Sequence, residues 1–436
     1  MSTVQTPDVQ APEKQQVPKA ASASAPLEAL GPTKTAWRLP VLDGLRAMSC
    51  VMVYFIHSWM SSGSPDGPTV MTLWGHDFSW TVRIVHTLFT FVDLFMVLCG
   101  FCLFWPLCKT PEAIRDWSWT NYVYRRLRRI CPPYYAAIAF VILLPQLLVV
   151  CTRLLGGEAK FQPNPSMGSI VSHLAFAHTL FPAYWADITG SFWSLGLEMQ
   201  FYLVFPLVVF LCRRQRLAVI AGMIVASIIF RTMVNILLPD QNDQRLWTIS
   251  FLGRWMEFAV GMAAAIIAAR YYRRGQLLRG WVGTTAVVAA IGAYVLAWNG
   301  TIERLPAIVQ LLPWQTMLIS ISCGLLIFAV TSTRTFIRRI FESKPVVKLG
   351  LMSYSFYLIH QTCAWFIAEF LRKRLHLENG PQIWLINSTL GLALVMVLAY
   401  PFYRVFEKPF ISAPKKKAKP AAARPPRVPV STSTAA

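Results

Sequence analysis

Between residues 38 and 410 the chain is a succession of apolar runs separated by short, arginine-rich polar segments. The runs lie near 40–60, 84–107, 133–154, 191–211, 217–238, 248–269, 280–298, 314–332, 348–371 and 384–404. Each is close to the ~20 residues that a helix needs to cross about 30 Å of hydrocarbon. A helix also satisfies its own backbone hydrogen bonds where there is no water to do so. The expected fold is therefore all-α, a polytopic membrane bundle of about ten transmembrane helices over 38–410. Residues 1–37 and 411–436 lack apolar periodicity, are rich in Pro, Ala and Lys, and read as disordered tails.

Composition agrees, since only 14% of the 436 residues are charged, against roughly 25% in soluble globular proteins. The net charge of +21 raises the question of a nucleic-acid partner, and the placement of the charges answers it. With the N-terminus in the cytoplasm, inner segments hold 30 Lys and Arg and outer segments hold 8. That asymmetry is the positive-inside pattern, with both termini cytoplasmic and no call for nucleic acid. A multi-pass protein of the plasma (inner) membrane is expected, its basic C-terminal tail lying against anionic headgroups.

Three arginines, Arg46, Arg231 and Arg254, fall inside apolar runs. A charge there costs at least a few kcal/mol, so each needs a partner or a task. The first run holds Asp43, Arg46 and His57. Asp43 and Arg46 are three apart and can pair on one helix face. Arg46 and His57 are eleven apart, which is about 1100° of rotation and a climb of about 16 Å. They share a stripe without touching, Arg46 near the cytoplasmic face and His57 in the outer half. That stripe suits a cytoplasmic anionic donor at Arg46 and a hydroxyl acceptor deprotonated by His57. The structural alternative is a snorkelling arginine and a core histidine.

Glu198 in the fourth run sits at about the depth expected for His57, where it would orient the imidazole or act as acid or base itself. Ser353, Tyr357 and His360 form a polar stripe in the ninth run, read as packing or acceptor contacts. Before the third run, Arg125, Arg126, Arg128 and Arg129 make two overlapping Arg-x-x-Arg pairs. Paired guanidinium groups suit phosphates, although positive-inside charge alone also explains such a loop. Cys99-x-x-Cys102 reads as packing, and no cysteine and histidine spacing suggests a metal site. No glycine-rich phosphate loop is present.

Several separated blocks together resemble the acyltransferase-3 family of integral membrane acyltransferases. They are LDGLRA followed by His57, VDLFMVLCGFCLFWPL, YRRLRRICPPYY, FWSLGLEMQFYLVFPL, LGLMSYSFYLIH and YRVFEKPF, in the family's order from Leu39 to Phe410. The resemblance implies a ten-helix fold with no permanently bound cofactor. It implies transfer of an acyl group, commonly acetyl, from acyl-coenzyme A to a hydroxyl of a sugar or other extracytoplasmic acceptor. Arg46 and His57 match the family's Arg-x10-His motif, and Arg126 with Arg129, or Arg125 with Arg128, its Arg-x-x-Arg motif. Glu198 matches the acid of its Trp-Ser-Leu-x-x-Glu block and Glu407 that of its terminal block, where a structural role is expected. Cys99 stands where the family usually has serine, and Met199 where many members have a second acid. Some members carry an added extracytoplasmic domain, and the 26 residues from Ser412's neighbour Ile411 onward leave the expectation of a stand-alone unit. The rival function is a transporter or flippase of a lipid-linked or acidic solute, which the absence of an internal repeat disfavours.

Overall fold

A computed structural model describes residues 39–63, 70–73, 75–110, 112–154, 165–238, 240, 244, 247–299, 306 and 310–411. Both tails, and Trp74, lie outside the described residues. All ten apolar runs fall on helices. These are α1 (Pro40–Ser61), α2 (Trp80–Thr87) continuing through a 3-10 turn into α3 (Phe91–Phe104), α4 (Trp119–Leu154), α5 (Met167–Leu174) and α6 (Trp193–Leu237). Then follow α7 (Trp255–Arg273), α8 (Gly280–Trp298), α9 (Trp314–Ser332), α10 (Phe336–Phe341), α11 (Lys344–Leu351), α12 (Ser353–Leu375), α13 (Gly380–Ile386), α14 (Leu392–Phe402) and α15 (Lys408–Ile411). A two-stranded antiparallel ribbon, β1 (Thr72–Leu73) with β2 (His76–Asp77), is the single sheet among the described residues.

Among the described residues, seven helical stretches are long and apolar enough to cross a membrane. One of them, Gly190–Leu237, is 48 residues long, more than twice the ~20 that a crossing needs. It bends at Gln215, whose backbone is extended at φ −140°, ψ 80°, inside the polar sequence Arg213-Arg214-Gln215-Arg216. Two of the expected runs thus meet at that bend. α1 and α12 are not among the seven, because the polar groups of the site are carried on them.

The segment 125–129, read from sequence as a loop, is helical. α4 runs through it and through Pro132, Pro133 and Pro145. Each proline removes a backbone donor and crowds the preceding turn, a defect that membrane helices accommodate by local adjustment and neighbouring groups.

Close backbone approach sets how the helices pack. A Cβ on Gly261 of α7 would overlap the Val97 carbonyl of α3, and one on Gly100 of α3 would overlap the Phe258 carbonyl of α7. Small residues at such crossings let membrane helices meet backbone to backbone. Beside this crossing lies a buried charge quartet that accounts for two of the three in-run arginines. Arg254 pairs with Asp93 and, at 3.0 Å, with Glu257. Arg231 lies 3.6 Å from Glu257 and donates to the Gly253 carbonyl at 2.5 Å and to Thr316 Oγ1 at 2.7 Å.

α1 packs against α3, α11 and α12. Two π-helical turns, Asn387–Gly391 and Tyr403–Glu407, interrupt the last long helix where it meets the site. Tyr54 of α1 donates to Asn387 Oδ1 at 2.6 Å, and Asn387 Nδ2 donates to the Ala364 carbonyl of α12 at 2.9 Å. The second π turn delivers Glu407, which accepts from Ser355 N at 3.1 Å and Ser355 Oγ at 2.5 Å. A carboxylate there meets the unpaired donors at the start of α12, the structural role expected for Glu407.

Candidate active site

The third in-run arginine, Arg46, faces a cavity of about 100 Å³ enclosed by α1, α3, α4, α6 and α12. Its guanidinium lies 3.5 Å from Asp43 and donates to Cys102 Sγ at 3.3 Å. Arg126 and Arg129 of α4 line the same cavity. Arg125, by contrast, is exposed, and Arg128 points away to donate to the Pro409 carbonyl at 3.4 Å. Of the two Arg-x-x-Arg pairs open in the sequence, helical phase brings Arg126 and Arg129 to the cavity.

Glu198 lines this cavity too, and accepts a hydrogen bond from Tyr202 one turn later. The Arg126 guanidinium stacks over the Tyr202 and Tyr122 rings at 5.3 and 5.7 Å from their centroids. Three guanidinium groups thus border the cavity against Glu198 and against Asp43, which pairs with Arg46. The arginines remain in excess, which favours an anionic occupant. Cys99 also borders the cavity and donates to Tyr202 Oη at 3.6 Å. Cys99 is therefore packed into the cavity wall, and Cys102 packs behind it against Arg46.

Tyr357 forms the cavity's far wall. Its hydroxyl meets Ser194 Oγ at 2.7 Å and donates to the Ser191 carbonyl at 3.2 Å. Beside it, His360 and His57 form a buried pair. His57 Nδ1 lies 2.9 Å from His360 Nε2, and His360 Nδ1 lies 2.6 Å from the Tyr357 carbonyl. The two imidazole centroids are 4.9 Å apart, and that of His360 is 5.1 Å from the Tyr357 ring. Phe89 covers His57 at 6.1 Å.

The expected stripe on α1 is present, with Arg46 on the cavity and His57 eleven residues on. The expected partner of His57 is different, however. Glu198 is engaged with Tyr202 and the arginines, and the side chain at His57 is His360. Depth along the membrane placed Glu198 and His57 at one level, but their helix faces differ. Ser353 lines the cavity, and its carbonyl accepts from Cys50 Sγ at 3.3 Å. The sequence missed Tyr202, although its place one helical turn after Glu198 was a signal, and it missed the pairing of His57 with His360, for which no local signal exists.

Comparison with known proteins places the chain among acyltransferases. The chain is 22% identical over 85% of its length to the peptidoglycan O-acetyltransferase OatA of Listeria monocytogenes, covering 55% of that protein. It is 22% identical, with 85% of the chain and 54% of the relative covered, to the putative peptidoglycan O-acetyltransferase YrhL of Bacillus subtilis. To the acyltransferase MdmB of Streptomyces mycarofaciens it is 27% identical over 83% of the chain and 87% of the relative. The chain thus spans about half the length of the first two. No solved structure gives a significant match. Residues 39–404 match the family model described as an acyltransferase domain, and the chain belongs to that family of multi-pass membrane proteins.

Proposed function

We propose that the protein transfers an acyl group, acetyl by preference, from acyl-coenzyme A to a hydroxyl of an extracytoplasmic carbohydrate. The observation that carries this reading is the cavity in which Arg46, Arg126 and Arg129 outnumber Glu198, adjoining a buried His57–His360 pair across Tyr357. The arginine end takes the donor's phosphates from the cytoplasm, the side on which 30 of the Lys and Arg are placed. The pantetheine arm runs past Tyr357 and brings the thioester carbonyl to the histidines.

His57 takes the proton of the acceptor hydroxyl as its oxygen attacks the thioester carbon. The tetrahedral adduct collapses, the carbon–sulfur bond breaks, and the proton on His57 passes to the departing coenzyme A sulfur. Products are the O-acyl carbohydrate and the free thiol, with no covalent acyl-enzyme and no metal involved. The names of the relatives, peptidoglycan O-acetyltransferases among them, support a cell-wall or related polysaccharide as the acceptor and the plasma membrane as the location.

The test is binding of acetyl-coenzyme A to purified protein in detergent. Wild type binds; Arg46→Ala and the double Arg126→Ala/Arg129→Ala variant lose about ten- to a hundredfold in affinity, the equivalent of the 1.5–3 kcal/mol typical of a charged hydrogen bond. Arg125→Ala/Arg128→Ala binds like wild type. His57→Ala binds but transfers nothing. A wild type indifferent to every acyl-coenzyme A tried overturns the reading and leaves transport of a lipid-linked or acidic solute.

A further inference from the structure

We propose that His360 is a positioning residue that fixes which nitrogen of His57 carries the proton, leaving His57 Nε2 as the bare lone pair that meets the acceptor hydroxyl. This rests on His57 being the base.

The assignment follows from what each atom is able to do. A backbone carbonyl only accepts hydrogen bonds, so the 2.6 Å contact between Tyr357 O and His360 Nδ1 requires the proton on that nitrogen. A neutral imidazole has one N–H and one lone pair. The lone pair of His360 is therefore on Nε2, which lies 2.9 Å from His57 Nδ1. His57 must donate from Nδ1, and its own lone pair is on Nε2. The proton directions run in one line from His57 to His360 to the Tyr357 carbonyl.

The direction matters because free histidine favours the opposite tautomer, with the proton on Nε2. In that form the nitrogen turned away from His360 is a donor, unable to take a proton from a hydroxyl. Serine hydrolases solve the same problem with a buried carboxylate against the inner nitrogen of the base. Here a neutral imidazole stands in that place, and nothing ionised is added at a depth where a carboxylate is costly. When His57 takes the acceptor's proton, its Nδ1–H bond to His360 becomes charge-assisted and therefore stronger. The Tyr357 carbonyl dipole lies at the far end of the same line.

Val53, one turn back on α1, also presents its carbonyl to the His57 ring. That carbonyl is a second acceptor, beside His360, for a proton on the ring. The variants separate its contribution from that of His360.

His360→Gln places an amide oxygen where Nε2 stood and accepts the same hydrogen bond, whereas His360→Leu fills the space with no acceptor. The full chain, labelled with ¹⁵N at histidine, is examined by NMR, with the His57 ring identified from its loss in His57→Ala. In parallel, coenzyme A release from acetyl-coenzyme A is followed with water or a soluble oligosaccharide as acceptor. Wild type and His360→Gln show His57 protonated on Nδ1, and His360→Leu shows it on Nε2. kcat falls at least roughly 10- to 100-fold in His360→Leu, the range seen when the outer partner of a metal-bound histidine is lost. KM for the donor is unchanged, and His360→Gln recovers most of the rate. An unaltered His57 tautomer in His360→Leu overturns the proposal, and so do equal losses in the Leu and Gln variants. If His57→Ala still transfers at full rate, the base assignment has failed instead, while the tautomer shift is read independently.

Discussion

At the scale of single residues, buried histidines in this chain are oriented by backbone carbonyls, and those in the α4–α6 connection show what burial costs. His173 and His178 stack with ring centroids 4.0 Å apart and planes at 7°. Each gives one nitrogen to a backbone carbonyl, Ser169 for one and Phe192 for the other, and each leaves its second nitrogen buried and unpartnered. Burial, and then the neighbouring His173, push the His178 imidazole down to about 3, and burial lowers His173 as well. A base depressed in the fold contributes stability above its unfolded value of about 6.5. That contribution is lost as the pH falls from there toward 3. After correction for the slower intrinsic exchange at low pH, the protection of amides in residues 165–189 should therefore fall between pH 7 and pH 4 while that of α3 and α7 holds, and a His178→Phe variant should blunt the change. An equal loss of protection everywhere would assign the effect to the whole bundle.

At the scale of elements, the apolar runs were legible because the length needed to cross hydrocarbon is a property of one segment by itself. Which face of a helix meets which neighbour is a property of pairs, and there the sequence stopped short. It left Arg126 with Arg129 and Arg125 with Arg128 as equals, and only the phase of α4 against the cavity separates them. It set Glu198 beside His57 by depth, whereas the rotation of α6 turns Glu198 to Tyr202 and the arginines. The Pro132–Pro133 pair lies inside α4, which runs through the segment expected to be a loop. The in-run arginines were visible as costs, but their partners lie far along the chain, Arg254 being 161 positions from Asp93. The quartet of Asp93, Arg231, Arg254 and Glu257 pins α3, α6 and α7 together and is balanced in charge. Removing one member leaves an uncompensated buried charge, so Glu257→Gln should lower stability by about 3–5 kcal/mol. Thermal unfolding in detergent will measure this, and replacing Arg254 in the same chain should not add a second full loss, because the two act as one unit.

At the scale of the whole molecule, the proposed reaction requires access to the site from opposite sides, and the asymmetry of 30 against 8 Lys and Arg predicts the orientation. A fluorescent reporter fused after residue 436 should therefore light up in the cytoplasm of a bacterial host, and a phosphatase that folds only outside should be inactive there. The reverse pattern would invert the donor and acceptor sides. The pairing of His57 with His360 across 303 positions has a consequence for how the protein is made. α1 emerges long before α12 and is one of the least lipid-loving of the long helices, yet its partner does not exist until ~300 more residues have been polymerised. At about 5–20 residues per second, that is a delay of roughly 15–60 s. Until then α1 holds His57 in or near the bilayer without its final neighbour, so biogenesis has to shelter this helix from the moment it appears until α12 is in place.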